Sequence, residues 1–269
     1  MRLVSWNLHG AAIPGSATLD KQHRAWAHIR ELGADIVLAQ EVGESDIPEW
    51  VSREWTLLHG ERGVGRKAWS WGSVIAARPG MNLRPRPDAF DDPWIRHLYD
   101  LVLVGELDLP GVGPVVVASV HTVAQSLPSY LKETGGLDLV SDSAMKRLQR
   151  PGYRGRPYVN DFAFEALDRF VGDRRFLISG DWNTARKFDK PRSRAGTAFF
   201  ERAASHGWVG CHHGPEEPSH LGRGEPIYQL DHAFADPATA ACATRCWVVL
   251  DDVVRSVSDH APLVVDLGV

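Results

Sequence analysis

The chain has 269 residues, 43% of them hydrophobic and 24% charged, and a formal net charge of −4. That length suits one large domain spanning 1–269, and these proportions exclude a disordered or fibrous protein. A slightly acidic balance gives no general attraction for nucleic acid, although setting aside four acids singled out below would leave the remainder neutral and a local basic face intact.

Three cysteines, Cys211, Cys242 and Cys246, cannot all pair with one another and are expected as reduced thiols. No apolar run reaches the roughly 20 residues that cross a bilayer, and no signal-peptide core follows Met1. A cytoplasmic protein without a membrane span is expected.

In chain order, residues 2–6 and 35–40 are short apolar runs separated by Leu19 to Leu32, where Trp26, Ile29 and Leu32 recur at helical spacing. Further strand-like runs follow at 73–77, 99–107, 114–120, 175–179, 227–235, 244–250 and 262–267, many of them rich in valine. Helical patterns recur at 136–149, 159–172 and 195–206, so helices interrupt the strands without alternating with them. Two packed sheets with outer helices fit this count better than a doubly wound parallel sheet. The stretch 122–158 is poor in strand signal and carries Lys146, Arg147, Arg150, Arg154 and Arg156 with Pro151, Gly152 and Gly155, which predicts a helix and an irregular basic flap.

Carboxylates, amides and histidines fall repeatedly where an apolar strand hands over to a loop. Asn7 ends the first run, Glu41 the second, His121 the valine-rich run, and Asp181 with Asn183 the run Phe-Leu-Ile-Ser-Gly-Asp-Trp-Asn. Asp231 lies in Tyr-Gln-Leu-Asp-His-Ala-Phe, and Asp259-His260 precedes the last run. Buried carboxylates need a compensating cation or donor, and oxygen ligands such as Glu41, Asp259 and Asn7 suit Mg²⁺ or Mn²⁺. In an extended chain Asp181 and Asn183 point to one side and Trp182 to the other.

The segments Ser5-Trp6-Asn7, Leu38-Ala39-Gln40-Glu41, Ser119-Val120-His121-Thr122, Gly180-Asp181-Trp182-Asn183, Gln229-Leu230-Asp231-His232 and Ser258-Asp259-His260-Ala261-Pro262 span nearly the whole chain. In content and order they resemble the endonuclease/exonuclease/phosphatase superfamily, which includes deoxyribonuclease I, abasic-site endonucleases, neutral sphingomyelinases and inositol polyphosphate 5-phosphatases. The resemblance implies a four-layer αββα sandwich, with two mainly antiparallel sheets flanked by helices. It makes Glu41 the principal metal ligand with Asn7 and Asp259 in or near its shell. Asp181 and Asn183 would activate the nucleophile and hold the phosphate, His121 would bind the scissile phosphate, and His260, oriented by Asp231, would be general base or phosphate contact.

Other residues carry plainer expectations. Trp6 and Trp182 are read as core packing, His232 as structural, and Cys211-His212-His213 with His220 lacks the paired spacing of a zinc site. Abasic-site endonucleases carry a tyrosine just before the strand that here reads Gly72-Ser73-Val74-Ile75-Ala76, where this chain has Trp69-Ser70-Trp71. The expected function is a divalent-metal-dependent phosphoester hydrolase, first a nuclease contacting nucleic acid through Lys146 to Arg156, with a phosphatase or phosphodiesterase of a small molecule or lipid head group as the alternative. A binding protein on an inactive scaffold fits less well with the complete set from Asn7 through His260.

Overall fold

The computed structural model describes residues 1–8, 17–43, 47–60, 72–191, 194–222 and 227–268; Trp69-Ser70-Trp71 lie outside the described residues. One sheet is built from β1 (Arg2–Asn7), β2 (Ile36–Val42), β3 (Thr56–His59), β4 (Gly72–Ala77), β11 (Ala243–Val248) and β12 (Leu263–Leu267), in the order β11-β12-β1-β2-β4-β3. The other contains β5 (Arg84–Pro85), β6 (Val102–Leu109), β7 (Gly113–His121), β8 (Phe176–Asp181), β9 (Val209–Gly210) and β10 (Asp231–Ala235), in the order β5-β6-β7-β8-β10-β9. Each sheet has one parallel pair at its centre, β1 with β2 and β7 with β8, and its other pairs are antiparallel.

Period-two alternation sorts the side chains into layers. Leu3, Ile36, Leu38, Leu263 and Val265 of the first sheet meet Leu107, Val115, Val117 and Leu177 of the second in a core between the sheets. Val4, Trp6, Val37 and Val264 face the opposite way, against Trp26 and Ile29 of α1 (Ala17–Glu31), Val51 of α2 (Glu49–Glu54) and Val254 and Val257 of α9 (Asp252–Val257). The outer face of the second sheet is covered by α3 (Pro93–His97), α4 (Leu127–Thr134), α6 (Val159–Val171) and α7 (Ala195–Ser205), which send Ile95, Tyr130, Phe162 and Phe199 into a third core. Two short helices, α5 (Asp142–Arg147) and α8 (Pro237–Ala240), are the other α-helices among the described residues. The result is the expected four-layer sandwich of two mainly antiparallel sheets between helices.

Several boundaries move for identifiable reasons. The run at 99–107 enters its strand only at Val102, because Asp92 caps α3 through the backbone N–H groups of Trp94 and Ile95 and the helix hands Leu98 to a turn. The expected helix at 136–149 breaks into a 3₁₀ turn at Leu137–Leu139 and α5, restarted by the Ser141 cap on the Ala144 N–H. Segment 122–158 contains α4, and Leu127, Tyr130, Leu131 and Leu148 are buried in the core under α6. No helix among the described residues is long and apolar enough to cross a membrane.

The central parallel pair of the second sheet depends on one glycine. Gly180 pairs with Val120 at φ +154°, and a Cβ there would lie 1.9 Å from the Val120 carbonyl oxygen. Gly180→Ala should therefore destabilise the protein by about 3 kcal/mol or more, combining overpacking with an unfavourable φ. Urea denaturation checks this, and a loss below about 1 kcal/mol would contradict the close approach.

Candidate active site

The pairing register puts the chemistry at one end of both sheets. His121 of β7 lies beside Asp181 of β8, and Asp181 lies beside Asp231 of β10, so three polar side chains stand in one row across three strands. On the facing sheet Asn7 ends β1 opposite Gln40 of β2, and His260 stands three residues before Leu263, the partner of Ser5. The space between the sheets becomes polar toward this end, where Ser5, Gln40, Ser119 and Ser179 are fully buried. Gln40 Nε2 donates to Ser119 Oγ at 3.0 Å, which in turn donates to the Ala39 carbonyl at 3.0 Å and ties the sheets together just behind the row.

Glu41 reaches the same place by a distortion. The β2–β4 register slips between Ala39 and Val42, two residues facing one, and Glu41 sits in the left-handed region at φ 55°. A regular strand would turn Glu41 to the face opposite Gln40; the bulge re-aims it, so that Asn7 Nδ2 donates to Glu41 Oε1 at 3.1 Å and to Asp181 Oδ2 at 3.3 Å. His121 Nε2 lies 3.4 Å from Glu41 Oε1 and 3.9 Å from Asp181 Oδ2, and His260 Nε2 lies 3.6 Å from the same Asp181 oxygen.

Asp181 is thus the hub. Asn183 donates to both of its oxygens, from the backbone N–H at 2.9 Å and from Nδ2 at 3.0 Å, and Nδ2 also reaches the Thr122 carbonyl at 2.6 Å. The two side chains share one side as expected, but through a left-handed Asn183 at φ 47° rather than an extended chain. Burial pushes the Asp181 carboxyl up to about 6, assisted by Asp231 and opposed by His260 and His121. Burial alone would depress His260, yet Asp231, Asp181 and the hydrogen bond to Asp231 outweigh it and hold the imidazole at about 10.

Asp231 Oδ2 accepts from His260 Nδ1 at 2.8 Å and from Ser219 Oγ at 2.6 Å, and the same hydroxyl accepts the backbone N–H groups of Leu230 and Asp231. On the other flank Ser258 Oγ donates to the Asn7 carbonyl and accepts the His260 N–H. Trp6 and Trp182 are both fully buried, but Trp6 also donates Nε1–H to the His260 carbonyl at 2.7 Å, which anchors the loop carrying that histidine. Sequence reasoning gave no role to Ser219 or Ser258 and only packing to Trp6, since a serine in a loop leaves no periodic signal.

Asp259 stays next to His260, adding its charge to those that raise it, and is among the residues that line a depression with Lys21, Arg255 and Ser256. His232 turns away from the row, bonds the Thr184 carbonyl at 2.8 Å and packs on Phe200; burial holds it below its ordinary pKa. Cys211 is buried between the sheets, and His212 Nε2 lies 3.6 Å from Glu217.

The donor set fits a hard cation. Ligand atoms of Asp181, Asp231 and His260 lie within 4.8 Å of one another, and Asp231 Oδ1 is buried without a hydrogen-bond partner among the described residues. Because His260 is already bonded to Asp231, the carboxylates of Glu41 and Asp181, bridged by the Asn7 Nδ2 donor, offer further oxygen atoms on the other side of the hub.

This fold matches solved structures along its whole length. A 3′ phosphatase from Neisseria, bound to a product DNA hairpin, gives a TM-score of 0.63 at 17% identity and covers 99% of both chains. An AP endonuclease from Archaeoglobus fulgidus gives 0.61 at 15%, covering 100% of each chain. An endonuclease/exonuclease/phosphatase protein from Beutenbergia cavernae gives 0.59 at 21%, covering 100% of this chain and 72% of that one. No protein-family model matches the sequence, and a search of curated proteins finds no match. At these identities the likeness is one of fold: the chain has the α/β sandwich of the endonuclease/exonuclease/phosphatase proteins.

One expected surface cation is withdrawn from solvent. Lys146, Arg147, Arg154 and Arg156 are exposed, but Arg150 is buried, its Nε donating to Asp161 at 2.8 Å, Nη2 to Asn160 Oδ1 at 2.6 Å and Nη1 to the Ala195 carbonyl. It therefore contributes to packing under α6 and α7 and not to a solvated flap. Among the described residues Arg150→Ala leaves buried Asp161 with the Tyr158 N–H and a more distant Arg202, and should cost roughly 3–5 kcal/mol. Thermal and urea unfolding read the loss; a change under about 1 kcal/mol would mean that the pair is solvated.

Proposed function

We propose that this chain is a divalent-metal-dependent phosphoester hydrolase acting on the phosphodiester bonds of nucleic acid. The observation that carries this reading is the convergence of Asn7, Glu41, His121, Asp181, Asn183, Asp231 and His260 at one end of both sheets. Glu41 and the amide of Asn7, with Asp259 nearby, would hold Mg²⁺ or Mn²⁺, an oxygen-rich set suited to a hard ion. When bound, such an ion offsets charge on the phosphoryl oxygens and lowers the pKa of water.

The remaining work belongs to the chain's own groups. Asp231, fixed by Ser219, holds His260 with Nε2 turned toward Asp181, so that an imidazole and a carboxylate share one proton path. Asp181, raised toward neutrality by burial, accepts a proton from an attacking water, and Asn183 keeps its carboxylate aimed. His121, on the opposite side of Asp181 from Asp231 along the sheet, donates to a phosphoryl oxygen. Nucleic acid as substrate is supported by the fold, shared with an AP endonuclease and with a phosphatase bound to DNA, and by the four exposed cations between Lys146 and Arg156.

Hydrolysis of bis-p-nitrophenyl phosphate is expected to stop in EDTA and return with Mg²⁺ or Mn²⁺; full activity in EDTA would refute the metal requirement. His260→Ala and Asp181→Asn should each lower turnover by about 10²- to 10⁴-fold with an unchanged circular dichroism spectrum. A panel of single- and double-stranded DNA, RNA, nucleotides, inositol phosphates and sphingomyelin at two salt concentrations tests the substrate. Cleavage confined to the small molecules or lipid would reject nucleic acid while leaving the hydrolase.

A further inference from the structure

A cavity of about 460 Å³ adjoins the row at Asn183, within the range of about 300–1,000 Å³ typical of small-ligand sites. Its walls combine two kinds of group. Tyr153 and Tyr158 stack with ring centres 6.3 Å apart and phenol oxygens 3.3 Å apart, and Phe188 packs on Tyr228 at 4.8 Å. The lining also carries Lys187, Lys190 and Arg150, with no carboxylate among the described lining residues.

The arginine is already committed to Asp161, Asn160 and Ala195, so it forms floor and not free charge. Lys187 and Lys190 are exposed and make no hydrogen bond or ion pair among the described residues, which leaves both ammonium groups for a ligand. The floor is also tied to the hub: Asn160 Nδ2 donates to the Trp182 carbonyl at 3.0 Å, between Asp181 and Asn183. A molecule in this cavity therefore touches Asn183, whose amide lies 3.0 Å from Asp181 Oδ2.

Flat π-faces beside unpaired cations match a planar ring carrying phosphate. A phosphorylated sugar alone would leave the rings unused, and a lipid would need an apolar channel where these walls carry lysines. We infer that this cavity seats one unpaired nucleotide next to the scissile phosphate, its base against the aromatic walls and its phosphate on Lys187 and Lys190. The inference rests on the reading of the row as a phosphoester-hydrolysing centre and sharpens it. A base inside a duplex is stacked and paired, so it must be extruded before it can enter such a site. The substrate class is accordingly single-stranded or frayed nucleic acid, in preference to intact duplex.

Binding of deoxyadenosine 5′-monophosphate in EDTA, followed by calorimetry, tests the cavity apart from turnover. The nucleotide should bind more tightly than deoxyribose 5-phosphate or inorganic phosphate, and Phe188→Ala should weaken it by about tenfold, the usual scale for losing one base-stacking ring. Lys187→Ala with Lys190→Ala, both at exposed positions, should weaken it at least as much and flatten its salt dependence. Wild-type protein should also cut a single-stranded oligonucleotide at least tenfold faster than the same strand in a duplex. Equal binding of nucleotide and inorganic phosphate, nucleotide binding indifferent to the lysine pair, or equal cutting of the two forms would overturn the inference. Wild-type hydrolysis of bis-p-nitrophenyl phosphate separates the two claims: its absence rejects the hydrolase, whereas its presence with unaltered nucleotide binding in the variants rejects the cavity alone.

Discussion

Three carboxylates, Glu41, Asp181 and Asp231, meet where two sheets close on each other, and Asp181 and Asp231 are almost wholly buried. Each buried carboxylate costs several kcal/mol unless charge or hydrogen bonds compensate. Much of the surrounding architecture can be understood as that compensation. His121 and His260 approach Asp181 within 4 Å, Asn7 bridges Glu41 and Asp181, Asn183 donates twice to Asp181, and Ser219 with His260 occupies one oxygen of Asp231. The pairing register His121–Asp181–Asp231 sets these three side chains side by side, and that register needs β7 and β8 to approach as closely as Gly180 permits. The oxygen atoms left over are what a divalent ion would satisfy.

Backbone strain is concentrated in the same place. Only three described non-glycine residues have positive φ, and two of them, Glu41 and Asn183, belong to this cluster. Such conformations cost about 1–3 kcal/mol each and persist where surrounding contacts over-determine them. For Glu41 the determinants are the β-bulge and the Asn7 amide, and for Asn183 they are Asp181 and the Thr122 carbonyl. The strain is informative because asparagine tolerates the left-handed region better than most residues do, whereas glutamate has no such allowance. A glutamate kept there is held for where its carboxylate points.

The sandwich and the clustering of Asn7, Glu41, His121, Asp181, Asn183, Asp231 and His260 were legible because strands that alternate in and out must place their terminal residues at the sheet ends. What the period of two could not convey is how Glu41 turns inward, since the bulge depends on β4 opposite and not on the local sequence. Arg150 was read as surface for a similar reason. Within Lys146 to Arg156 it looks like one charge among several, and its partner Asp161 lies eleven positions away in a different element. The helix α4 was hidden by Pro128 in its first turn, a position where proline is compatible with a helix although it reads locally as a break. Ser219 and Trp6 act through a carboxylate and a carbonyl that only tertiary contact brings near.

Rigid and adaptable parts of the site are divided between different kinds of chain. Asn7, His121, Asp181 and Asp231 end or begin strands whose cross-strand bonds set their spacing, so their geometry is inherited from the sheets. Lys187, Phe188, Lys190 and Tyr228 lie on connections between β8 and α7 and between β9 and β10, where substitutions do not disturb pairing. A polar cluster fixed by strand ends and a neighbouring cavity lined largely from connections can therefore change independently. Similar sandwiches carry an AP endonuclease and a 3′ phosphatase at identities of 15% and 17%, as expected if the sheets are retained while the connections diverge. In this chain the polar cluster accordingly sits on the strand ends, while the lysines and rings beside Asn183 sit on the connections.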